Sequence, residues 1–446
     1  MIHTEELLVN HRNEIQRVAV MGSGTMGMGI AAACAQTGCE VLLLDIKQQF
    51  AEQAVERMLA GRSPALDDPA KQKLITTGSF DSDLHKVADA DWLCEAIVED
   101  LDKKRDLFTR LEAARSDGSV ISTNTSGIPL RSICEGMPER LQRDIFVTHF
   151  FNPVKVMRLM ELVPGAQATP EATQKLARFC GERLGKGVVY AKDTVNFIGN
   201  RIGCFWMFVG LHAGRAARAD GLTIETADAL LSAPVGLPAT GLYGLVDLIG
   251  LDIMDLVGKN LEANLAAFDP GMAYVRLPAE ELAMLQRGQL GRKSGGGFYR
   301  VTKKADGSKL KETFDIAAQS WRESVPVTLD PAHSDLKSLL YSDGLECRFA
   351  WDVISATCCY AAELVPEISD DIVNIDRAMR WGFNWQRGPF ELIDALDPTE
   401  FSARLATEGR PVPHMLSALK ESGAHGFYTN EGFLGLDGAF HPLPPE

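Results

Sequence analysis

Along the N-terminal third of the chain, short apolar runs alternate with longer stretches whose apolar residues recur every three or four positions. Val18 to Met21, Val41 to Leu44, Trp92 to Ile97, Val120 to Thr123 and Ile145 to Phe150 have the length and largely apolar character of strands covered on both faces. Between them, Thr25 to Thr37 is rich in small residues suited to a helix, and Leu101 to Ala114 carries Leu107, Phe108 and Leu111 on one face with charges opposite. Such alternation predicts a doubly wound α/β sheet. After about residue 190 it gives way to long helical periodicities, so an all-α part follows.

The turn after the first strand reads Gly22-Ser23-Gly24-Thr25-Met26-Gly27. Gly22 permits a tight turn, Gly24 lets a pyrophosphate approach the backbone, and Gly27 lets the helix pack closely on the strand. Phosphates then meet the helix N-terminus, at Thr25 and Met26. Asp45 ends the second strand, where a carboxylate accepts both ribose hydroxyls and repels a 2′-phosphate; this favours NAD over NADP, and Lys47 nearby tempers the preference. A bare tight turn and an ordinary strand-end acid are the simpler alternatives. Both flanking strands and the acid together favour the cofactor, and with it a Rossmann-type sheet.

His149 closes the last of these strands, and Glu161 lies in the apolar strand that follows. A neutral imidazole at a strand end, with a carboxylate on the next strand to set its tautomer, can take a proton from an alcohol near neutral pH. The same two residues also fit a core histidine in an internal ion pair, because a buried acid needs a partner. Ser126, in Asn124-Thr125-Ser126, suits a turn or a helix cap, and Asn200 suits a cap for the helix after it. Glu95 and Glu99 fall just past a strand, where ligands of such sheets collect and where solvated loop charges are equally at home. Lys104 and Lys293 read by themselves as solvated.

The helical part repeats itself. Asp228 in Thr226-Ala227-Asp228-Ala229 matches Asp376 in Ile375-Asp376-Arg377-Ala378, and Asp247 in Leu245-Val246-Asp247-Leu248 matches Asp394 in Leu392-Ile393-Asp394-Ala395. Both halves then reach Gly-Phe-Tyr, at Gly297-Phe298-Tyr299 and at Gly426-Phe427-Tyr428. We therefore expect an NAD-binding domain over 1–190, a first helical module over 191–302, a linker over 303–334, and a second, degenerate helical repeat over 335–446. Lys-Lys, Asp-Gly and Asp-Pro steps mark the linker.

Composition narrows the partners. A formal net charge of −15 over 446 residues argues against a nucleic-acid surface or an anionic membrane. Nine cysteines without metal-ligand spacing predict no metal site, and their odd number suits a reduced, cytoplasmic setting. Residues 1–16 are charged and polar, unlike a signal peptide, and the longest apolar stretch, Ile202 to Ala213, is too short to cross a bilayer.

In order and spacing, six blocks resemble the L-3-hydroxyacyl-CoA dehydrogenase family. They are the glycine loop, Glu95 to Glu99, Asn124 to Ser126, His149-Phe150-Phe151-Asn152-Pro153, Asp193 to Arg201, and Gly291-Arg292-Lys293-Ser294-Gly295 with Gly297-Phe298-Tyr299. The second half, with Arg380 to Trp385 and Gly388 to Leu392, is similar to the dehydrogenase part of bacterial multifunctional fatty-acid β-oxidation proteins, and no hydratase-like segment accompanies it in these residues. The resemblance implies reversible, NAD-dependent oxidation of an L-3-hydroxyacyl-CoA thioester to the 3-ketoacyl-CoA. It casts His149 as general base and Glu161 as the acid that orients it, with Ser126 and Asn200 at the substrate's reacting oxygen. Glu99, Lys104, Asn152 and Lys293 match positions that touch NAD. Enoyl-CoA hydratase and thiolase activities of the same pathway are the implied partners, and both a monomer and a homodimer are compatible with a duplicated module.

Two departures stand out. Val195-Asn196 replaces the family's common Pro-Gly, and Thr240 to Gly244 replaces the Gly-Pro-Phe-Glu-Leu block that the second copy keeps at Gly388 to Leu392. The second copy has no counterpart of the Asn200 block, so it is expected to be structural. A non-catalytic NAD or acyl-CoA binder of the same fold, and a dehydrogenase of free hydroxy acids, are the competing readings.

Overall fold

The computed structural model describes residues 14–430 and 432–446. They divide into an α/β unit ending at Phe197 and a mainly helical unit over 198–445.

In the first unit, β1 (Arg17–Met21), β2 (Glu40–Asp45), β3 (Ile75–Ser79), β4 (Trp92–Glu95), β5 (Val120–Thr123), β6 (Ile145–Phe150), β7 (Leu159–Pro164) and β8 (Gly187–Tyr190) form one sheet in the order β3-β2-β1-β4-β5-β6-β7-β8. All neighbours are parallel except β6 and β7. The connection changes direction between β1 and β4, and that switch point opens a crevice at the carboxyl ends of the strands. Helix α1 (Thr25–Gln36) leaves β1 through the glycine loop; a Cβ on Gly27 would stand 1.9 Å from the Gly22 carbonyl oxygen, so only glycine permits this packing. Val18, Val20, Leu43, Trp92 and Phe146 are among the buried core residues. Trp92 to Ile97 was expected as one strand, but the ladder stops at Glu95, whose carboxylate turns back to accept the Ile97 N–H at 2.7 Å. The sequence pattern did not show β3 and β8. They are the sheet's two edges and only partly buried; β3 (Ile-Thr-Thr-Gly-Ser) lacks an apolar run, whereas the apolar residues of β8, Val188 to Tyr190, make a run too short to stand out.

In the second unit, the repeated aspartates do the same work in both halves. Asp228 accepts the Tyr243 and Gly244 N–H groups and the Tyr299 hydroxyl; Asp376 accepts the Phe390 and Glu391 N–H groups and the Tyr428 hydroxyl. Asp247 takes the Phe298 and Tyr299 N–H groups, as Asp394 takes those of Phe427 and Tyr428. Each pair ties the start of one helix to a Gly-Phe-Tyr turn, which accounts for the spacing seen in the sequence.

Residues 303–334, expected to be a linker, are partly ordered as a small antiparallel sheet of β9 (Tyr299–Lys303), β10 (Lys309–Asp315) and β11 (Ser320–Glu323). Phe314 packs edge-on against Trp321 at 5.3 Å, and Arg322 forks onto Glu225 of the first module at 2.6 and 2.7 Å. Lys304 to Ser308, with the Asp-Gly step, closes the β9–β10 hairpin, whereas the Asp-Pro step caps a short 3-10 turn over Pro331–His333. No helix among the described residues is long and apolar enough to cross a membrane, and no cluster of His, Cys, Asp and Glu among them could hold a metal.

Candidate active site

The glycine loop borders a cleft of about 750 Å³ whose lining includes Gly22, Ser23, Gly24, Asp45, Ile46 and Phe80. Gly22 takes φ +102°, and a Cβ there would lie 2.5 Å from the Ala96 carbonyl oxygen. A Cβ on Gly24 would meet nothing within 4 Å, so this glycine keeps open space at the helix N-terminus. Thr25 and Met26 form the first turn of α1, where free N–H groups and the helix dipole favour a phosphate. At the end of β2, Asp45 accepts the Ser23 N–H (2.7 Å) and hydroxyl (2.5 Å) on one oxygen and the Ile46 N–H on the other. A carboxylate has lone pairs left after three such bonds. Open space, N–H donors and a strand-end acid together fit a dinucleotide. Ser23 and Arg57, which donates to the Ser23 carbonyl at 3.2 Å, are parts of this loop that the glycine spacing alone does not reveal.

Antiparallel pairing sets His149 on β6 directly opposite Glu161 on β7. The Nδ1 to Oε2 distance is 2.6 Å, with His149 5% and Glu161 0% exposed. An ionised carboxylate can only accept, so Nδ1 carries the proton and donates it to Glu161, leaving Nε2 as the basic nitrogen. Phe151 and Phe197 flank the imidazole with ring centroids at 4.6 and 5.7 Å. Asn124 accepts the Phe150 N–H at 3.0 Å and so ties the next loop to the end of this strand.

That loop carries Ser126, exposed after β5. Glu99 Oε1 accepts the Thr125 hydroxyl (2.5 Å) and the Ser126 and Gly127 N–H groups (3.1 and 3.0 Å), so the turn presenting Ser126 hangs from one carboxylate. Burial works to raise the Glu99 pKa, but the Lys104 ammonium and these donors outweigh it and hold the carboxyl below its usual value. Lys104 is not solvated. It is 1% exposed, and its Nζ lies 2.7 Å from Glu95 and 3.3 Å from Glu99. Glu95, equally suited by sequence to a solvated loop, is fully buried and also accepts the Thr123 hydroxyl at 2.6 Å. The spacing from Lys104 to Leu107, Phe108 and Leu111 was the signal for this, since it sets Lys104 on the apolar face of the helix and not among the charges opposite.

The remaining predicted residues belong to both units. Asn152 is exposed just past β6. In the second unit, Asn200 is half-buried in the first turn of α2 (Gly199–Ala219), and Lys293 pairs with Asp252 at 2.6 Å. Asn196, where the family commonly has glycine, takes φ +61°; asparagine tolerates this left-handed region better than other side chains, so the substitution need not alter the local path.

Residues 17–194 match the NAD-binding domain of 3-hydroxyacyl-CoA dehydrogenase, and residues 197–301 match its C-terminal domain. A probable 3-hydroxyacyl-CoA dehydrogenase of Deinococcus radiodurans is 36% identical over 65% of this chain and 84% of its own length. The chain belongs to the 3-hydroxyacyl-CoA dehydrogenase family. A probable 3-hydroxyacyl-CoA dehydrogenase of Bacillus subtilis is 33% identical over 94% of this chain but 55% of its own length. The chain thus spans about half the length of the relatives that it matches over most of its own residues. A crystal structure of 3-hydroxybutyryl-CoA dehydrogenase from Escherichia coli shares the fold over 92% of this chain and 99% of that one, with a TM-score of 0.69 at 24% identity. Among the blocks that suggested the 3-hydroxyacyl-CoA dehydrogenases, those up to Asp193 fall within the NAD-binding match, and Asn200 and Lys293 fall within the C-terminal match.

Proposed function

We propose that this chain oxidises L-3-hydroxyacyl-CoA to 3-ketoacyl-CoA, reversibly and with NAD, in fatty-acid β-oxidation. The observation that carries the reading is the buried 2.6 Å His149–Glu161 pair, in the same unit as the dinucleotide loop. His149 Nε2 takes the proton of the 3-hydroxyl, and Glu161 stabilises the resulting imidazolium at Nδ1 without leaving its place on β7. NAD, when bound, supplies the acceptor for the hydride from C3. Ser126 and Asn200 hold the reacting oxygen, while the apolar Phe151 and Phe197 beside the imidazole limit water around it. In the reverse direction His149 returns the proton. Glu99, Asn152 and Lys293 belong to the proposed cofactor contacts, with Lys104 acting through Glu99.

Residues 335–446 are, on this reading, a degenerate structural copy of the first module. A reduced cytoplasmic setting suits the nine unpaired thiols. Hydratase and thiolase activities are the proposed partners, since they make the substrate and consume the product. Mixing the protein with acetoacetyl-CoA and NADH should consume NADH absorbance, and acetoacetate in place of its thioester should react far more slowly. Binding of both ligands without turnover would leave a non-catalytic protein of this family instead, and equal rates with acetoacetate would point to free hydroxy acids.

A further inference from the structure

The second module reaches back onto the helix that begins with Asn200. Arg201, the next residue after Asn200, is 2% exposed. Its Nε donates to the Tyr360 hydroxyl at 2.5 Å, and its Nη2 donates to Asp269 and, at 3.3 Å, to Glu367. The Tyr360 hydroxyl donates in turn to Asp269 Oδ1 at 3.0 Å, which closes a ring of three side chains. Asp269 belongs to the first module, whereas Tyr360 stands on α3 (Leu345–Glu363) of the second.

The same surface grips the following turn. Phe205 stacks on Tyr360 with centroids 3.9 Å apart, and Trp206 meets Trp385 edge-on at 5.8 Å. A Cβ on Gly203 would stand 2.0 Å from the Phe383 ring, so this glycine exists to admit a side chain of the second module. Arg201 is locked inward while its neighbour Asn200 stays half-buried. Rotating a helix by about 10° swings a group ~6 Å from its axis by about 1 Å, a displacement that costs an aligned reaction roughly 100-fold.

We infer that the second helical module orients Asn200 for the reaction, with Tyr360 as a positioning residue that acts through Arg201. The inference rests on the role proposed above for Asn200. Tyr360→Phe keeps the ring stack and the direct Arg201–Asp269 pair, and removes only the hydroxyl that accepts from Arg201 Nε and donates to Asp269. It should lower kcat about tenfold, leave the KM for acetoacetyl-CoA within about twofold and leave NADH binding unchanged. In an Asn200→Ala background, removing the same hydroxyl should lower kcat no further, because its effect is exerted through Asn200. Phe383→Leu withdraws the ring from Gly203 and should give the same split of kcat from KM, so the test survives if Tyr360→Phe folds poorly. An undiminished kcat in both variants, beside a rate lost in Asn200→Ala, overturns the inference and leaves the role of Asn200 standing. Equal losses with and without Asn200 also overturn it, and a full rate in Asn200→Ala overturns both readings.

Discussion

Replacing Lys104 by methionine removes the ammonium beside a fully buried carboxylate, since Glu95 is 0% exposed and its Oε1 lies 2.7 Å from Nζ. The Ile97 N–H and the Thr123 hydroxyl remain as donors to Glu95, but neither carries a full charge. Leaving one member of a buried pair uncompensated costs about 3–5 kcal/mol. In an α/β unit of this size that lowers the melting temperature by roughly 10 °C. The loss should be visible as earlier thermal release of NADH binding, and kcat should fall as well, because Glu99 loses the cation that holds it under the Ser126 turn. Adding Glu95→Gln should restore most of the stability. A glutamine there accepts from Ile97 and donates to Thr123, and a buried ion pair exchanged for a satisfied neutral pair is close to neutral in free energy. A single-variant loss below about 1 kcal/mol, or a double variant no better than the single, would refute the claim that this pair is a desolvated charge pair.

Other expectations follow from the same geometry. His149→Gln should abolish turnover while calorimetry still finds NADH bound, and a near-normal rate would remove the assigned base. Glu161→Gln keeps an acceptor for Nδ1 but loses the charge facing the imidazolium, so kcat should drop on the order of 100-fold with KM little changed in steady-state assays. Asp45→Ala should weaken NADH roughly tenfold and narrow the preference over NADPH, measured as the ratio of kcat/KM for the two cofactors. Burial works to raise the Glu225 pKa, but the Arg322 fork, the Thr313 hydroxyl and the Val325 N–H draw it down to about 2. A carboxyl with a lowered folded-state pKa stabilises above its unfolded value and loses that contribution as pH falls toward 2. Urea unfolding between pH 4.5 and 2 should therefore show the helical unit weakening, and Arg322→Met should flatten that slope.

Much of the site was legible because its signals are local. The glycine loop and Asp45 belong to one strand-turn-helix-strand segment, and their spacing already carries the chemistry of a phosphate cradle and a ribose acceptor. His149 and Glu161 sit on consecutive strands, so a short antiparallel connection suffices to bring them face to face. The paired aspartates at 228 and 376, and at 247 and 394, showed through because each binds the equivalent backbone groups of its own module, even though Asp247 reaches across 51 positions and Asp394 across 33.

Other features required the chain to fold on itself. Helical spacing sets Lys104 in line with Leu107, Phe108 and Leu111, but a long side chain can reach solvent from the edge of such a face, and that it instead meets Glu95 depends on where the sheet brings that carboxylate. An edge strand such as β3 is held by its backbone ladder more than by apolar burial, so its residues need not look like a strand. Between the two helical modules, Tyr360 meets Arg201 across 159 positions of chain. Local composition determined the sheet, the cofactor loop and the consecutive strands that set His149 against Glu161; tertiary packing decided which charges found buried partners and what the second module packs against, because desolvation and long-range contact exist only once the elements meet.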